Sequence, residues 1–577
     1  MLKQTYNWQY LSVDIFKILT KCAGGAIIQA KNERLIFGEV MGGKSKFKKK
    51  LGALKEYGVN LIALSILTGL FAGAVVTLYN IVTGIGEEKS VELYSLVREN
   101  PAFVPLLFLG LVAGAFVIGT ATRFIPMIRG SGVPQIEGAA RGVLRFKWYT
   151  VMCSMFAASV ACIFMGLPAG SEGPSLEIGG CAGDAVGTTL KRSLMVRRLQ
   201  IAAGSSAGLA AAFNAPVTGL VFAMEEAFRS FSAQVFTCSA VSVLVSLTVR
   251  NLMRAAMGFS TGFTFTTFEF SPMEPMGYLY TAIAALAAAL LGVAFYHIML
   301  LARKGFAKLT FLKGVGKYVV PFCIAGAFGL ISSYAMGGGH EFIQSLGSLY
   351  DGEFEKIFGI SVAATLAIVV VFRFISTILA VGCGMPYGIF VPVLATGAGL
   401  GALLCTGFSA AGMDSAMADY IIVITMAAYF TTVVRAPITA IVMIFEFTGQ
   451  FQNLLPALLG VGIGFIVGEL FRTQSVFEKC LELIVRDQRV KLGAEKRRVC
   501  LAVEEGSYAD GRSIRSVLWP AGGIVAEVVT PDGARFVPDG KTVLKAGDNI
   551  TFECVAVSEE DVKNYLSDIV GTAEKQE

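Results

Sequence analysis

Gly170-Ser171-Glu172-Gly173-Pro174 ends an uncharged run, Trp148 to Ser171, that is long enough to cross a bilayer, and it ends it with an acid. A carboxylate at membrane depth is costly unless it is paired, hydrated or protonated, so an acid in this position marks a functional site by default. The glycines and the proline break the helix at the acid. Ser175 to Gly179 can restart one, whose free N–H groups and positive dipole end suit an anion. The plain alternative is an exposed glutamate at an ordinary helix start.

The surrounding composition is that of a membrane protein. Of 577 residues 54% are hydrophobic and only 16% charged, and the 65 glycines exceed the roughly 7% usual in soluble chains. Uncharged stretches recur at Tyr57 to Gly86, Pro101 to Thr122, Trp148 to Ser171, Leu199 to Met224 and Phe231 to Val249, with more between Met276 and Phe471. Since about 20 apolar residues suffice for one crossing, the chain is expected to make about ten to fourteen membrane segments, some interrupted by Gly and Pro. The eleven cysteines form no CxxC pair and there are two histidines, His297 and His340, which gives no pattern for zinc or another metal. His340-Glu341 begins like the HExxH of a metalloprotease, but the fifth residue is Gln344. With no His neighbour beside the acids, an intramembrane hydrolase is disfavoured and the chain is not read as an enzyme.

The start of the chain lacks the short basic and apolar plan of a signal peptide. Lys44, Lys46, Lys48, Lys49 and Lys50 precede the first membrane run and place the N-terminal segment, residues 1–56, in the cytoplasm by the positive-inside rule. The net charge of +6 is then a solvated or lipid-facing patch and calls for no nucleic acid. Charge density changes near residue 480: the last 97 residues hold 30 of the 90 charged side chains. A transport domain over 57–475, a linker over 476–495 and a soluble α+β domain over 496–577 follow. In the last, strands are expected at Arg498 to Val503, Gly523 to Thr530 and Asn549 to Val557, and helices at Gly511 to Leu518 and Glu559 to Ile569. With its Gly-Arg-Ser helix start, Val537-Pro538-Asp539-Gly540 and Leu544-Lys545-Ala546-Gly547-Asp548, this module resembles the TrkA-C (RCK C-terminal) domain. That resemblance implies dimerisation and a small, nucleotide-like ligand.

The membrane part echoes itself. Asn214-Ala215-Pro216-Val217-Thr218-Gly219-Leu220-Val221 lies over Arg435-Ala436-Pro437-Ile438-Thr439-Ala440-Ile441-Val442 at an offset of 221, which brings Glu225 over Glu446. At an offset of 218, Gly170-Ser171-Glu172-Gly173-Pro174 lies over Gly388-Ile389-Phe390-Val391-Pro392. Two repeats, each carrying one G-x-x-x-P loop, read as a transporter that holds its substrate between broken helices near the midplane.

A third loop of the same kind, Gly130-Ser131-Gly132-Val133-Pro134, precedes Gln135-Ile136-Glu137. GSGVP, GSEGP and GIFVP in this order, with Glu225-Glu226 after the second, resemble the CLC family of chloride channels and chloride/proton antiporters over about residues 58 to 472. The resemblance implies an all-α polytopic membrane bundle of two inverted repeats with broken helices, to which the small cytoplasmic α+β domain is appended. It implies a homodimer in the inner membrane of a prokaryote, multi-pass, with both termini cytoplasmic and no cofactor beyond its substrate ions, chloride and proton. It implies that the Ser131 hydroxyl and the backbone N–H groups of Ile389 and Phe390 bind chloride. Such neutral dipoles replace part of an anion's hydration without trapping it. Serine here points to chloride over nitrate, and the absence of Met or Asn argues against fluoride. Glu172 matches the gating glutamate, which can occupy an anion position when ionised and leave when protonated. Glu226 matches the internal proton-transfer glutamate of the antiporters.

There are departures from the pattern. Aligning Glu446-Phe447-Thr448 through Pro456 puts Phe451 at the position of the family's chloride-binding tyrosine, and loss of that hydroxyl weakens binding by about 0.5–1.5 kcal/mol. Ser171 replaces a basic residue before the gate. The reading is a chloride/proton antiporter gated by Glu172, with a passive chloride channel or a weakly coupled antiporter as the alternative.

Overall fold

The computed structural model describes residues 44–571 apart from 228, 230–231, 260–267, 269–273, 310–313, 348, 350–353, 355, 450–453, 493–494, 518, 521–522 and 557–558; side chains are described from residue 59, apart from 358, 487–492, 495, 556, 561, 564 and 568. The chain divides into two compact units, residues 1–60 and Leu61–Glu577. Of the first, the helical backbone from Lys44 is described, and the Lys44–Lys50 side chains read above as a surface patch lie outside the described ones.

The helices in chain order are α1 (Lys44–Glu99), α2 (Val104–Phe124), α3 (Val133–Ala140), α4 (Trp148–Phe164), α5 (Glu172–Thr189) and α6 (Leu194–Phe213). Then come α7 (Pro216–Phe222), α8 (Ala233–Ala256), α9 (Pro275–Lys308), α10 (Val319–Ile331), α11 (His340–Leu346) and α12 (Val362–Cys383). The membrane part closes with α13 (Phe390–Ala410), α14 (Ala418–Val434), α15 (Pro437–Thr448) and α16 (Leu454–Leu470), and α17 (Val476–Leu492) follows. Among the described residues seven helices are long and apolar enough to cross a bilayer unaided, and four shorter apolar helices accompany them. Ile66, Leu70, Leu106, Leu109, Leu279, Leu286 and Leu458 are exposed. Such a band of apolar side chains suits lipid and would be an aggregation hazard in water.

Small residues set the packing at the centre. A Cβ on Gly183 of α5 would lie 1.9 Å from the Gln200 carbonyl oxygen of α6, and one on Gly208 would lie 2.3 Å from the Ser175 carbonyl oxygen. Glycine is therefore what lets these two backbones touch. This is how membrane helices associate where no hydrophobic drive exists between them. Polar side chains tie the neighbours: Thr68 Oγ1 donates to Gln200 Oε1 at 2.8 Å and Ser242 Oγ to the Ser65 carbonyl at 2.7 Å.

The internal echo is a structural repeat. Asn214 and Arg435, which end α6 and α14, both adopt the left-handed conformation (φ 56° and 66°), and the Ala-Pro after each opens α7 and α15. The repeats then exchange corresponding contacts. Glu225 accepts from the Ile438 and Thr439 N–H groups at 3.0 and 2.7 Å, while Glu446 accepts from those of Val217 and Thr218 at 2.8 and 2.6 Å. Gly170 and Gly388 form an antiparallel bridge, each donating to the other's carbonyl at 2.9 and 2.8 Å. Reciprocal pairing of this kind relates the halves by a local two-fold with opposed chain directions.

The C-terminal part is a four-stranded antiparallel sheet of order β1-β4-β2-β3, with β1 (Glu495–Ala502), β2 (Ile524–Val529), β3 (Arg535–Phe536) and β4 (Asn549–Ala556), packed on α18 (Glu559–Val570). Its core holds Val499, Leu501, Val528, Ile550, Phe552, Leu566 and Ile569. On β4, Lys496 and Arg498 at 2.8 and 2.5 Å hold the Glu553 carboxyl below the usual range. Two details differ from the sequence reading. The expected helix Gly511 to Leu518 is a single tight turn, Ile514–Ser516, because the Gly511, Ile514 and Arg515 N–H groups bond to the Leu544, Thr542 and Gly540 carbonyls instead of to their own chain four residues back. The expected linker 476–495 is for the most part helix α17, whose Val476, Phe477, Cys480 and Leu481 are buried on one face.

This module packs onto the membrane part through named contacts. Leu194 at the start of α6 joins its core, the Arg198 guanidinium lies 5.4 Å from the Tyr565 ring, and Tyr508 donates to Gln234 Oε1 at 3.1 Å. Burial raises the Tyr508 phenol above its usual range.

Candidate ion pathway

Three helices begin at one place. Gly132, Ser171 and Ile389 stand immediately before α3, α5 and α13, and none of these three residues caps its helix through a side chain. Pro134, Pro174 and Pro392 fall in their first turns, where an N–H would be unbonded anyway. The loops are in direct contact. A Cβ on Gly173 would lie 2.1 Å from the Ser131 carbonyl oxygen and 3.0 Å from Gly388 Cα, so only glycine lets them meet. Gly130 and Gly132 hold φ of 111° and 87°, which delivers the Ser131 side chain between two kinks. Ser131, Ile389 and Phe390 are all buried. The Phe390 ring is fixed by Phe213, Phe222 and Phe430, with centroids 5.0, 5.6 and 4.6 Å away.

A cavity of about 210 Å³ reaches Ser131 and Ile389. Its walls carry Arg129, Arg303 and Lys317, a cationic mouth that raises the local anion concentration. Phe477, from the first turn of α17, lines it too and packs against Phe222 at 6.3 Å.

Glu172, the first residue of α5, is buried. Its Oε1 accepts from Ser171 Oγ at 3.2 Å and lies 3.1 Å from His340 Nε2, while Oε2 has no hydrogen-bond partner among the described residues. The sequence reading gave the acids no His neighbour; the fold brings one across 168 positions. The loop before His340 is clamped: Glu87 accepts from the Gly338 N–H at 3.0 Å, and Arg373 donates to the Gly338 and Met336 carbonyls at 3.4 and 3.0 Å.

Glu226 sits in a π-helical turn, Ala223–Ala227, a distortion that recurs at functional sites. Ser475 Oγ donates to its Oε1 and Arg229 lies 3.5 Å from its Oε2. The cluster extends through Arg229 to Glu478 at 2.6 Å and through Arg141, which bonds the Glu226 carbonyl at 3.3 Å, to Glu137 at 2.6 Å. Adjacent Glu225 points to the other repeat and serves as a helix cap. Glu226 lies toward the C-terminal module. Glu172 lies at the far end of α5, whose 18 residues span about 27 Å.

Residues 113–469 match the sequence model of the family described as voltage gated chloride channel. The chain belongs to that family. The H(+)/Cl(-) exchange transporter ClcA of Vibrio cholerae is 29% identical over 451 residues, covering 75% of this chain and 91% of that protein, and the ClcA exchanger of Yersinia pestis is 30% identical over 376 residues, covering 63% and 74%. Among solved structures, a slow cyanobacterial Cl-/H+ antiporter superposes with a TM-score of 0.66 at 23% identity, covering 74% of this chain and 99% of that one. A eukaryotic CLC transporter gives 0.60 at 22% identity, covering 74% of each chain. These likenesses establish the fold.

Within that fold the candidates from sequence divide. Ser131, Ile389, Phe390, Glu172 and the glycines and prolines of the three loops form one contiguous site, and Glu226 heads a second. Phe451 lies outside the described residues. Phe477 was missed because residues 476–495 read as a linker. His340 was missed although Gly337-Gly338-Gly339 before it is a glycine break like the other three. Among the described residues no group of three or more His, Cys, Asp or Glu side chains is placed to hold a metal.

Proposed function

We propose that this protein is a chloride/proton antiporter in which Ser131, Ile389 and Phe390 bind the central anion, Glu172 is the gate and Glu226 delivers protons from the face that carries the C-terminal module. The carrying observation is the convergence of three helix N-termini on Ser131 with one buried acid at that junction and a second beside Arg141, past the far end of α3. The dipoles attract an anion without a fixed charge that would retain it. Glu172, when ionised, competes with chloride for those same N–H groups; when protonated it yields the place, and the proton travels opposite to the anion. Glu226, in contact with Ser475 and Arg229, exchanges protons with the Glu137–Arg141–Glu478 cluster rather than with the anion cavity.

The chain is placed as a homodimer in a prokaryotic inner membrane with both termini cytoplasmic. The Lys44–Lys50 cluster supports that orientation, and the family resemblance supports the dimer. We assign the C-terminal module a TrkA-C-like regulatory role with a nucleotide-like ligand. Its contact with Arg198 supports this role, because Arg198 Nε donates to the Ala140 carbonyl at 2.6 Å, and Ala140 ends α3, the short helix that begins at Val133, two residues after Ser131. A second reading, loose coupling, is favoured by Phe477, which lines the cavity from α17 without a hydroxyl to offer the anion, although Tyr387 also lines it.

The test is Glu172→Gln reconstituted in liposomes. The neutral amide mimics the protonated gate and cannot carry a proton, so chloride flux persists and proton movement ceases. A variant that still drives protons uphill on a chloride gradient overturns the gate assignment.

A further inference from the structure

The imidazole of His340 touches a buried carboxylate and is itself partly exposed. Its Nε2 is 3.1 Å from Glu172 Oε1, and its side chain is 33% exposed where that of Glu172 is 2% exposed. Its backbone is fixed in this position. Gly339 precedes α11 with φ 107°, and a Cβ there would lie 2.6 Å from Ala395 Cβ and 2.8 Å from Arg373 Nη1. Glu87 of α1 and Arg373 of α12 grip the loop from two sides.

The charged and titratable groups acting on this histidine come from every element packed around it: Glu172 of α5, Glu87 of α1 and Arg373 of α12. Glu341 of its own helix acts on Glu87, and Tyr79 of α1 lies within reach of Glu172. Two carboxylates and one guanidinium surround the imidazole, which can gain a proton from water and give it up to an acid. Histidine is the side chain whose ordinary titration lies near neutral pH, which suits it to such a shuttle.

We propose that His340 is the proton-relay residue at the end of the pathway remote from the C-terminal module, exchanging protons between the bathing water and Glu172. In the loading step the imidazolium gives its Nε2 proton to Glu172 Oε1 along the existing hydrogen bond. The carboxylate becomes a carboxylic acid and the imidazole becomes neutral. The neutral ring keeps its Nδ1 proton; a tautomeric exchange through water moves that proton to Nε2, and Nδ1 then takes a proton from hydronium in the bath, which restores the imidazolium and leaves water. Release runs the same steps in reverse, with no other reactant. The inference rests on Glu172 being the proton-carrying gate.

The test uses full-length protein in liposomes with equal pH on both sides, stepped from acid to alkaline, and measures proton turnover driven by a chloride gradient. His340→Gln keeps a hydrogen-bonding amide but cannot shuttle. The expected result is a loss of about a hundredfold in proton turnover at neutral pH, the low end of the range for one general acid–base group. The inflection that the imidazole gives to the pH profile should vanish with it. Added imidazole buffer should restore turnover in His340→Gln and in His340→Ala. Chloride flux of Glu172→Gln should be the same with and without His340→Gln, which also shows that the substituted chain folds.

Wild-type proton turnover and pH profile in His340→Gln overturn the relay. So does a loss that imidazole does not restore, or one that persists as slower chloride flux in the Glu172→Gln background, since both mark a purely structural role. A wild-type protein that moves no protons removes the antiport reading and this inference together; a proton-pumping wild type with an indifferent His340→Gln removes this inference alone.

Discussion

Replacing Glu225 by alanine should unfold the transporter more easily while leaving its proton coupling intact. The carboxylate takes three hydrogen bonds from the other repeat, from Ile438 N at 3.0 Å, Thr439 N at 2.7 Å and Thr439 Oγ1 at 2.7 Å. Alanine leaves two N–H groups at the start of α15 without their acceptor. A hydrogen bond to a charged group contributes about 1.5–3 kcal/mol; the bond from Ile438 N is exposed, so the two from Thr439 set the loss at about 3–6 kcal/mol. Glu446→Ala loses only the two bonds to Val217 and Thr218, at 2.8 and 2.6 Å, and should cost about 1.5–3 kcal/mol. The assay is denaturant unfolding of the purified variants, paired with the chloride-to-proton ratio of the protein that remains folded. Wild-type stability in both variants would refute the repeat-to-repeat caps. A loss of coupling in Glu225→Ala equal to that in Glu226→Gln would refute the separation of roles between the two acids.

Glu226→Gln should abolish proton movement while chloride still passes, measured as parallel fluxes from liposomes; unchanged proton transport would remove Glu226 from the pathway. Phe477→Tyr should add a hydroxyl to the cavity wall shared with Ser131 and tighten chloride binding by about 0.5–1.5 kcal/mol, read by calorimetric titration. A chain ending near Val490 keeps Phe477, Glu478 and the buried face of α17, so it should fold and carry chloride but lose any response to nucleotides added from the module's side. A ligand there can act only through differential affinity for two arrangements of the transporter. Tyr565→Ala, which removes the ring beside Arg198, should weaken the same response without changing basal flux.

What the sequence could disclose depended on how local the signal was. GSGVP, GSEGP and GIFVP each encode a helix break in five residues, so their positions were readable, and the offsets of 218 and 221 announced the repeat. The repeat's physical content, each glutamate capping the opposite helix, was not readable, because a cap across 213 or 229 positions leaves no local pattern. The contact between His340 and Glu172 was hidden for the same reason. Phe477 was obscured by composition: α17 is charged enough to resemble a linker, and only its buried face, from Val476 to Leu481, reveals that it returns to the cavity. The turn at Ile514–Ser516 reads as a helix locally, and the Gly540–Leu544 segment overrides that preference by taking its N–H groups.

The most direct test of the account is the reversal potential of the purified protein in liposomes under imposed chloride and proton gradients. Coupled exchange predicts a reversal potential displaced from the chloride equilibrium value and shifted again by a pH step at constant chloride, with protons driven uphill by chloride alone. A reversal potential that follows chloride and ignores the pH step would contradict it and leave a passive chloride channel.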